Sequence, residues 1–203
     1  MQNTTIENVY RQNLKEKILQ VATVLFYRHG IRQVRMDDIS NNLRISKRTL
    51  YEIYDNKEVL LLGVLQHNSE KEHQSMQNFD KSGANVISII LEFYRLRMKE
   101  LSRMSPLFFE DIRKYPRLLS YIDKQHQQHD IDAKAFMRRG VEDNINYDII
   151  RELSSAAGRE VMKGCLYKTY DIKELFKTSI ILFVRGICTP KGLRMLDEAI
   201  NIL

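Results

Sequence analysis

Apolar residues recur along this chain at helical spacing, and no stretch alternates apolar and polar positions convincingly enough for a sheet. Leu14, Ile18, Val21, Ala22 and Leu25 form one face of a first helix, which Gly30 is placed to cap. Two short helices follow, over about 36–43 and 47–54. Asn56 suits the N-cap of a long helix through Leu60 and Leu65, ended by polar residues and Gly83. The next predicted helix, about 84–103, is apolar on most sides between Val86 and Tyr94, which favours a central position. Pro106 and Pro116 fit early positions of two further helices, the second reaching about Val141. The polar stretch Glu142 to Asn146 precedes a last pair near 148–168 and 172–187. The expected fold class is therefore all-α, with no internal repeat and no low-complexity segment.

Composition narrows the class without changing it. Of 203 residues, 43% are hydrophobic and 29% charged, which suits a soluble globular chain and excludes a disordered or collagen-like one. Two cysteines, Cys165 and Cys188, are too few for a disulfide framework. The longest apolar runs, Val59 to Leu65 and Ile180 to Val184, fall well short of the ~20 residues of a membrane span. The first residues lack an apolar signal core, so a cytoplasmic location and no membrane partner are expected. Net charge is +6. Between Arg28 and Arg48 the basic residues Arg28, Arg32, Arg35, Arg44, Lys47 and Arg48 are opposed only by Asp37 and Asp38, which points to a polyanionic partner.

That basic stretch coincides with a helix-turn-helix pattern over Met36 to Tyr54. Ile39 and Leu43 can face inward from the first short helix, Ile45 fills the turn, and Leu50 and Tyr54 face inward from the second. Ser46 is a good N-cap for the second helix, whose start is crowded by Lys47, Arg48, Thr49 and Tyr51. Cations there oppose the helix dipole unless an anion arrives, and a helix N-terminus already favours phosphate. Leu50, Tyr54, Ile39 and Leu43 read as core; Arg28 and Arg32 read as solvated surface.

The segment from Gly30 to Leu60, with SKRTLYEIYDNKEVL at residues 46–60, resembles the TetR family of bacterial transcriptional regulators. Gly30, Ile39, Ser46, Lys47, Thr49, Leu50, Tyr51, Tyr54, Lys57, Glu58 and Leu60 fall in the family's order and spacing. The resemblance implies nine to ten helices and a homodimer. It divides the chain into a three-helix DNA-binding domain over 1–56 and a helical effector-binding and dimerisation domain over 57–203. It places Tyr51 and Lys57 on phosphates and Ser46, Lys47, Arg48 and Thr49 nearest the base edges; Arg35 and Arg44 complete the candidate DNA contacts. Three positions depart from the family's pattern. Arg44 replaces a turn glycine and so requires positive φ at a non-glycine residue, Arg48 replaces a common glycine, and Ile53 replaces a phosphate-contacting aromatic or histidine.

In the second half, Val86, Ile90, Tyr94, Arg97 and Leu101 share one helical stripe, and Leu118, Ile122, Gln125, His129, Ala133 and Phe136 share another. Polar groups on apolar stripes suggest a small-molecule site. Phe93, Tyr94, Arg97, Phe108, Phe109, Tyr121, Gln125 and His129 are the candidate ligand-binding residues. Arg97 and His129 would anchor an anionic head group, unless Arg97 pairs with an internal carboxylate and His129 is a satisfied histidine. His126 and His129 stand three apart, but no clear third ligand accompanies them, so no metal and no cofactor are expected. The broad apolar surface of the last predicted helix (Ile172, Leu175, Phe176, Ile180, Ile181, Phe183, Val184, Ile187) suits pairing with a second copy.

Neither a Gly-rich phosphate loop nor a nucleophile elbow is present. The expected function is a dimeric DNA-binding regulator, a repressor released by a largely apolar small-molecule effector, acting on a double-stranded operator with two-fold symmetry. The alternatives are a helical small-molecule carrier or enzyme with a vestigial DNA-binding region, and a regulator that binds a partner protein and no ligand.

Overall fold

A computed structural model describes residues 2–81, 83, 85–122, 124–125 and 147–200. The helices are α1 (Gln2–His29), α2 (Met36–Leu43), α3 (Lys47–Ile53), α4 (Lys57–Lys81), α5 (Val86–Leu101), α6 (Pro106–Ile112), α7 (Tyr147–Lys163), α8 (Ile172–Ile187) and α9 (Pro190–Ile200). A further helical stretch covers 116–122, and a short 3-10 turn covers Leu166–Lys168. No strand occurs among the described residues, so the fold is all-α.

The chain divides into two compact units: residues 1–71 with 103–119, and residues 72–102 with 120–203. The first unit thus runs through Lys71 and takes in the separate segment 103–119. In its core lie Ile18, Ala22, Phe26 and Tyr27 of α1, Ile39 of α2, Leu50 of α3 and Leu60, Leu61 and Val64 of α4. Phe108, Phe109, Ile112 and Leu118 are buried in the same unit. Each of the Ile, Leu, Val and Phe side chains contributes about 1.5–3 kcal/mol when fully withdrawn from water. Gly30 ends α1 at φ 80, and its N–H donates to the Phe26 carbonyl at 2.9 Å. A Cβ on Gly30 would stand 2.9 Å from Leu107 Cβ and 3.0 Å from Asp111 Oδ2, so glycine is required for both conformation and space.

In the second unit, Ile87 of α5, Val184 of α8 and Leu196 of α9 are buried together, with Ile90, Leu91, Ile180, Cys188 and Met195 packed around them. Most of α5 is only half-buried, which is less central than its apolar pattern predicts. Two further expectations are corrected here. The helix expected to reach about 168 ends at Lys163, because Cys165 adopts the left-handed conformation at φ 57 and starts the 3-10 turn. The chain is also helical beyond 187: the Thr189 hydroxyl accepts the Gly192 N–H at 3.2 Å, and Pro190 opens α9.

Candidate nucleic-acid interface

The helix-turn-helix is built by local bonds. At the start of α2, the Arg35 N–H donates to the Asp38 carboxylate at 2.7 Å, and the Asp38 N–H returns to the Arg35 carbonyl at 3.1 Å. At its end, Arg44 adopts φ 55, ψ 38. The Arg44 N–H donates to the Asn41 carbonyl at 3.1 Å and the Ile45 N–H to the Ser40 carbonyl at 3.0 Å, the two bonds of a Schellman turn. Arginine therefore occupies the left-handed position that a glycine would fill without steric cost. The Ser46 hydroxyl then caps α3, accepting the Thr49 N–H at 3.0 Å and pairing with the Thr49 hydroxyl at 2.7 Å. Leu50 is fully buried and fixes the inner face of α3.

Turning that face inward leaves Lys47, Arg48, Tyr51 and Glu52 exposed on the other. The Lys47 ammonium pairs with Asp37 Oδ1 at 2.8 Å and lies 5.9 Å from the centre of the Tyr51 ring. Arg48 Nε pairs with Glu52 Oε1 at 2.8 Å. Hydrogen bonds to these carboxylates raise the pKa values of both Lys47 and Arg48, so the cations stay charged. Arg35, Arg44 and Ser46 are likewise exposed, and Thr49 is half-buried. Near the far end of α3, the Arg11 guanidinium approaches the Glu52 carbonyl at 3.5 Å.

Lys57, expected at a phosphate, is tied down from below. Its ammonium donates to the carbonyls of Ile31 and Val34 at 3.0 and 3.1 Å, committing two of its three N–H groups. Burial pushes its pKa down, with Asp111 opposing the shift. Asp111, itself buried, accepts the Arg32 N–H at 2.8 Å. Lys57 and Asp111 thus hold the 31–34 segment that leads into α2. Sequence reasoning missed Asp111; no local pattern marks it, because its partner is 79 residues away.

The candidate ligand residues are dispersed. Phe108 and Phe109, expected at an effector pocket, are packed instead in the first unit. Their rings meet edge-on at 6.0 Å, and Phe108 meets the Tyr27 ring at 4.8 Å. In the second unit, Tyr94 lines a small, partly open apolar depression of about 20 Å³ with Ile90, Leu91, Lys177, Ile180, Ile181 and Leu196. The Tyr94 ring lies parallel to that of Phe176 at 6.2 Å, and Phe93 meets Phe176 at 6.4 Å. Arg97 is not an open anion anchor: it pairs with Glu72 at 3.0 Å and Glu100 at 3.4 Å, and lies over the Phe93 ring at 5.5 Å. Burial raises the Glu72 pKa, while Arg97 pulls it back. Tyr121 and Gln125 are half-buried; His129 lies outside the described residues.

Residues 18–64 match the family model of the bacterial regulatory proteins, tetR family. The match takes in the helix-turn-helix and less than half of the chain, and marks this segment as similar to that family. Solved structures agree on the fold. A TetR-family regulator from Agrobacterium tumefaciens superposes with a TM-score of 0.67 at 12% identity, covering 88% of this chain and all (100%) of that one. SCO4454, a TetR-family regulator from Streptomyces coelicolor, gives 0.61 at 19% identity over 89% and 94% of the two chains. A regulator from Saccharomonospora viridis in complex with choline gives 0.66 at 16% identity over 88% and 99%. At these identities the likeness shows the fold alone. No curated protein matches the chain. Among the described residues, no helix is long and apolar enough to cross a membrane.

Proposed function

We propose that this chain is a regulator of the TetR family, a homodimeric, ligand-responsive repressor with residues 1–56 reading DNA and residues 57–203 binding an effector and pairing two copies. The observation that carries the reading is α3. Its N-terminus is capped by Ser46, its inner face is fixed by Leu50, and Lys47, Arg48 and Tyr51 stand exposed at its start. A helix so presented fits the major groove at its N-terminal end and meets phosphates with free N–H groups. Exposed apolar side chains support pairing: Ile149 and Leu153 on α7 and Leu182 on α8 are all more than half exposed. The mostly apolar lining of the small depression beside Tyr94 supports a largely apolar effector over a polar one.

Control would be a population shift. Two recognition helices about 34–36 Å apart fit successive major grooves, and an effector that favours another spacing weakens DNA binding by its differential affinity. The helix α4 supplies residues to both units, through Lys71 to the first and from Glu72 to the second, and is the lever in this proposal. Selection from a random double-stranded DNA library at near-physiological salt tests the reading. Enrichment of a two-fold symmetric site is the expected result. Salt-sensitive binding with no enriched sequence, with and without candidate effectors, would overturn it.

A further inference from the structure

The exposed cations of the reading helix are already paired. Lys47 is held by Asp37 of α2 at 2.8 Å, and Arg48 by Glu52 of α3 at 2.8 Å. None of the four is shielded from solvent: the side chains of Lys47 and Asp37 are 59% and 50% exposed, and those of Arg48 and Glu52 are 88% and 58% exposed. Such pairs are cheap to separate, since water screens an exposed ion pair and its two long side chains lose freedom in making it. Two carboxylates therefore stand on the same exposed surface as these cations. Cap duty does not account for them, because Asp38, not Asp37, closes the start of α2, and Ser46 caps α3.

We propose that Asp37 and Glu52 set DNA specificity by holding Lys47 and Arg48 away from arbitrary phosphates until base-edge contacts replace the pairs. This rests on the DNA-binding reading above. Non-specific affinity comes almost entirely from cations neutralising phosphates, and each such contact steepens the dependence of log K on log salt by about 0.9. A cation whose charge is met by a carboxylate contributes less to that term. The carboxylate also repels the phosphate backbone directly. On the correct sequence the same cations gain bidentate bonds to base edges, which outweigh a solvent-exposed pair. The pairs lower affinity for all DNA, but they lower it most where nothing specific is offered in return. They also hold the two long side chains in defined positions before DNA arrives.

The test compares the wild type with Asp37→Asn and Glu52→Gln, on the duplex enriched by selection and on an unrelated duplex of equal length, across a salt series. Both substitutions keep shape and remove charge; far-UV circular dichroism and thermal melting confirm that the variants fold. Removing one charge about 5–6 Å from a phosphate in water is worth roughly three-fold. Each variant is therefore expected to bind the unrelated duplex about three-fold more tightly, with a salt slope steeper by up to about 0.9. The specific-to-unrelated affinity ratio should fall. An unchanged ratio and slope in both variants, while the wild type still selects its site, would overturn the proposal and leave the DNA-binding reading intact. Loss of preference at a single base pair in Glu52→Gln, with no gain on unrelated DNA, would make Glu52 a direct reader and also overturn it. A wild type that enriches no site would remove both.

Discussion

Arg44 offers a test in which stability and DNA binding move in opposite directions. It sits at φ 55, ψ 38 in the turn between α2 and α3. A left-handed conformation costs a non-glycine residue about 1–2 kcal/mol. Glycine removes that strain but loses about 0.5–1 kcal/mol through the greater freedom of its unfolded chain. Arg44→Gly is therefore expected to stabilise the protein by roughly 0.5–1 kcal/mol, the difference between these terms. For a cooperative chain of this size that corresponds to a rise of about 1–4 °C in Tm. Arg44→Ala keeps the strain and loses the guanidinium, so its stability should stay near that of the wild type. On DNA the two variants should behave alike: each loses the exposed guanidinium and flattens the salt slope by about 0.9 for a lost phosphate contact. Thermal melting of all three proteins, with a salt titration on the selected duplex, separates the two effects. Arg44→Gly no more stable than Arg44→Ala would refute the strain argument. Unchanged salt slopes in both would refute the DNA contact.

Gly30→Ala should destabilise the first unit by about 2–4 kcal/mol in chemical denaturation, combining left-handed strain with overpacking against Leu107 and Asp111; a loss below about 0.5 kcal/mol would contradict the close approach. His67 titrates below its usual 6.5 because burial disfavours the imidazolium and Lys71 repels it, with Glu16 opposing. The unfolded state then binds the proton first, so stability is full above pH 6.5 and falls as pH drops through and below that value. His67→Leu should flatten this fall, and a pH–stability curve of unchanged slope would show that the titrating group lies elsewhere. Leu182, 68% exposed on α8, is expected at the subunit seam. Leu182→Asp should convert a two-chain species to a one-chain species in sedimentation while α-helical content stays constant; persistence of the wild-type mass would remove α8 from the seam.

The helix-turn-helix was legible in the sequence because its determinants are local. Ser46 caps the Thr49 N–H three residues on, Leu50 points inward from the same turn, and the left-handed Arg44 follows from a residue standing in a glycine position. The roles of α6 and Lys57 were not legible, because they depend on long-range contacts. Nothing in the spacing of Phe108 and Phe109 says which core receives them. Nothing near Lys57 announces that the carbonyls of Ile31 and Val34 will accept its protons. Arg97 lies between these cases: its place on an apolar stripe was visible, and Glu100 stands three residues on, but Glu72 comes from another helix. The start of α9 could have been read from Thr189 followed by Pro190, a cap and a first-turn proline with Leu193 and Leu196 beyond.

Everything proposed for this chain depends on the exposed start of α3 reading DNA. The most direct measurement selects duplexes in parallel with the wild type and with Arg48→Ala, then compares base preference position by position. The wild type is expected to enrich two half-sites centred about 34–36 Å apart. Arg48→Ala is expected to relax preference at symmetry-related positions within those half-sites and to leave their spacing unchanged. Identical base-preference profiles for the two proteins, at matched affinity, would contradict that role of α3.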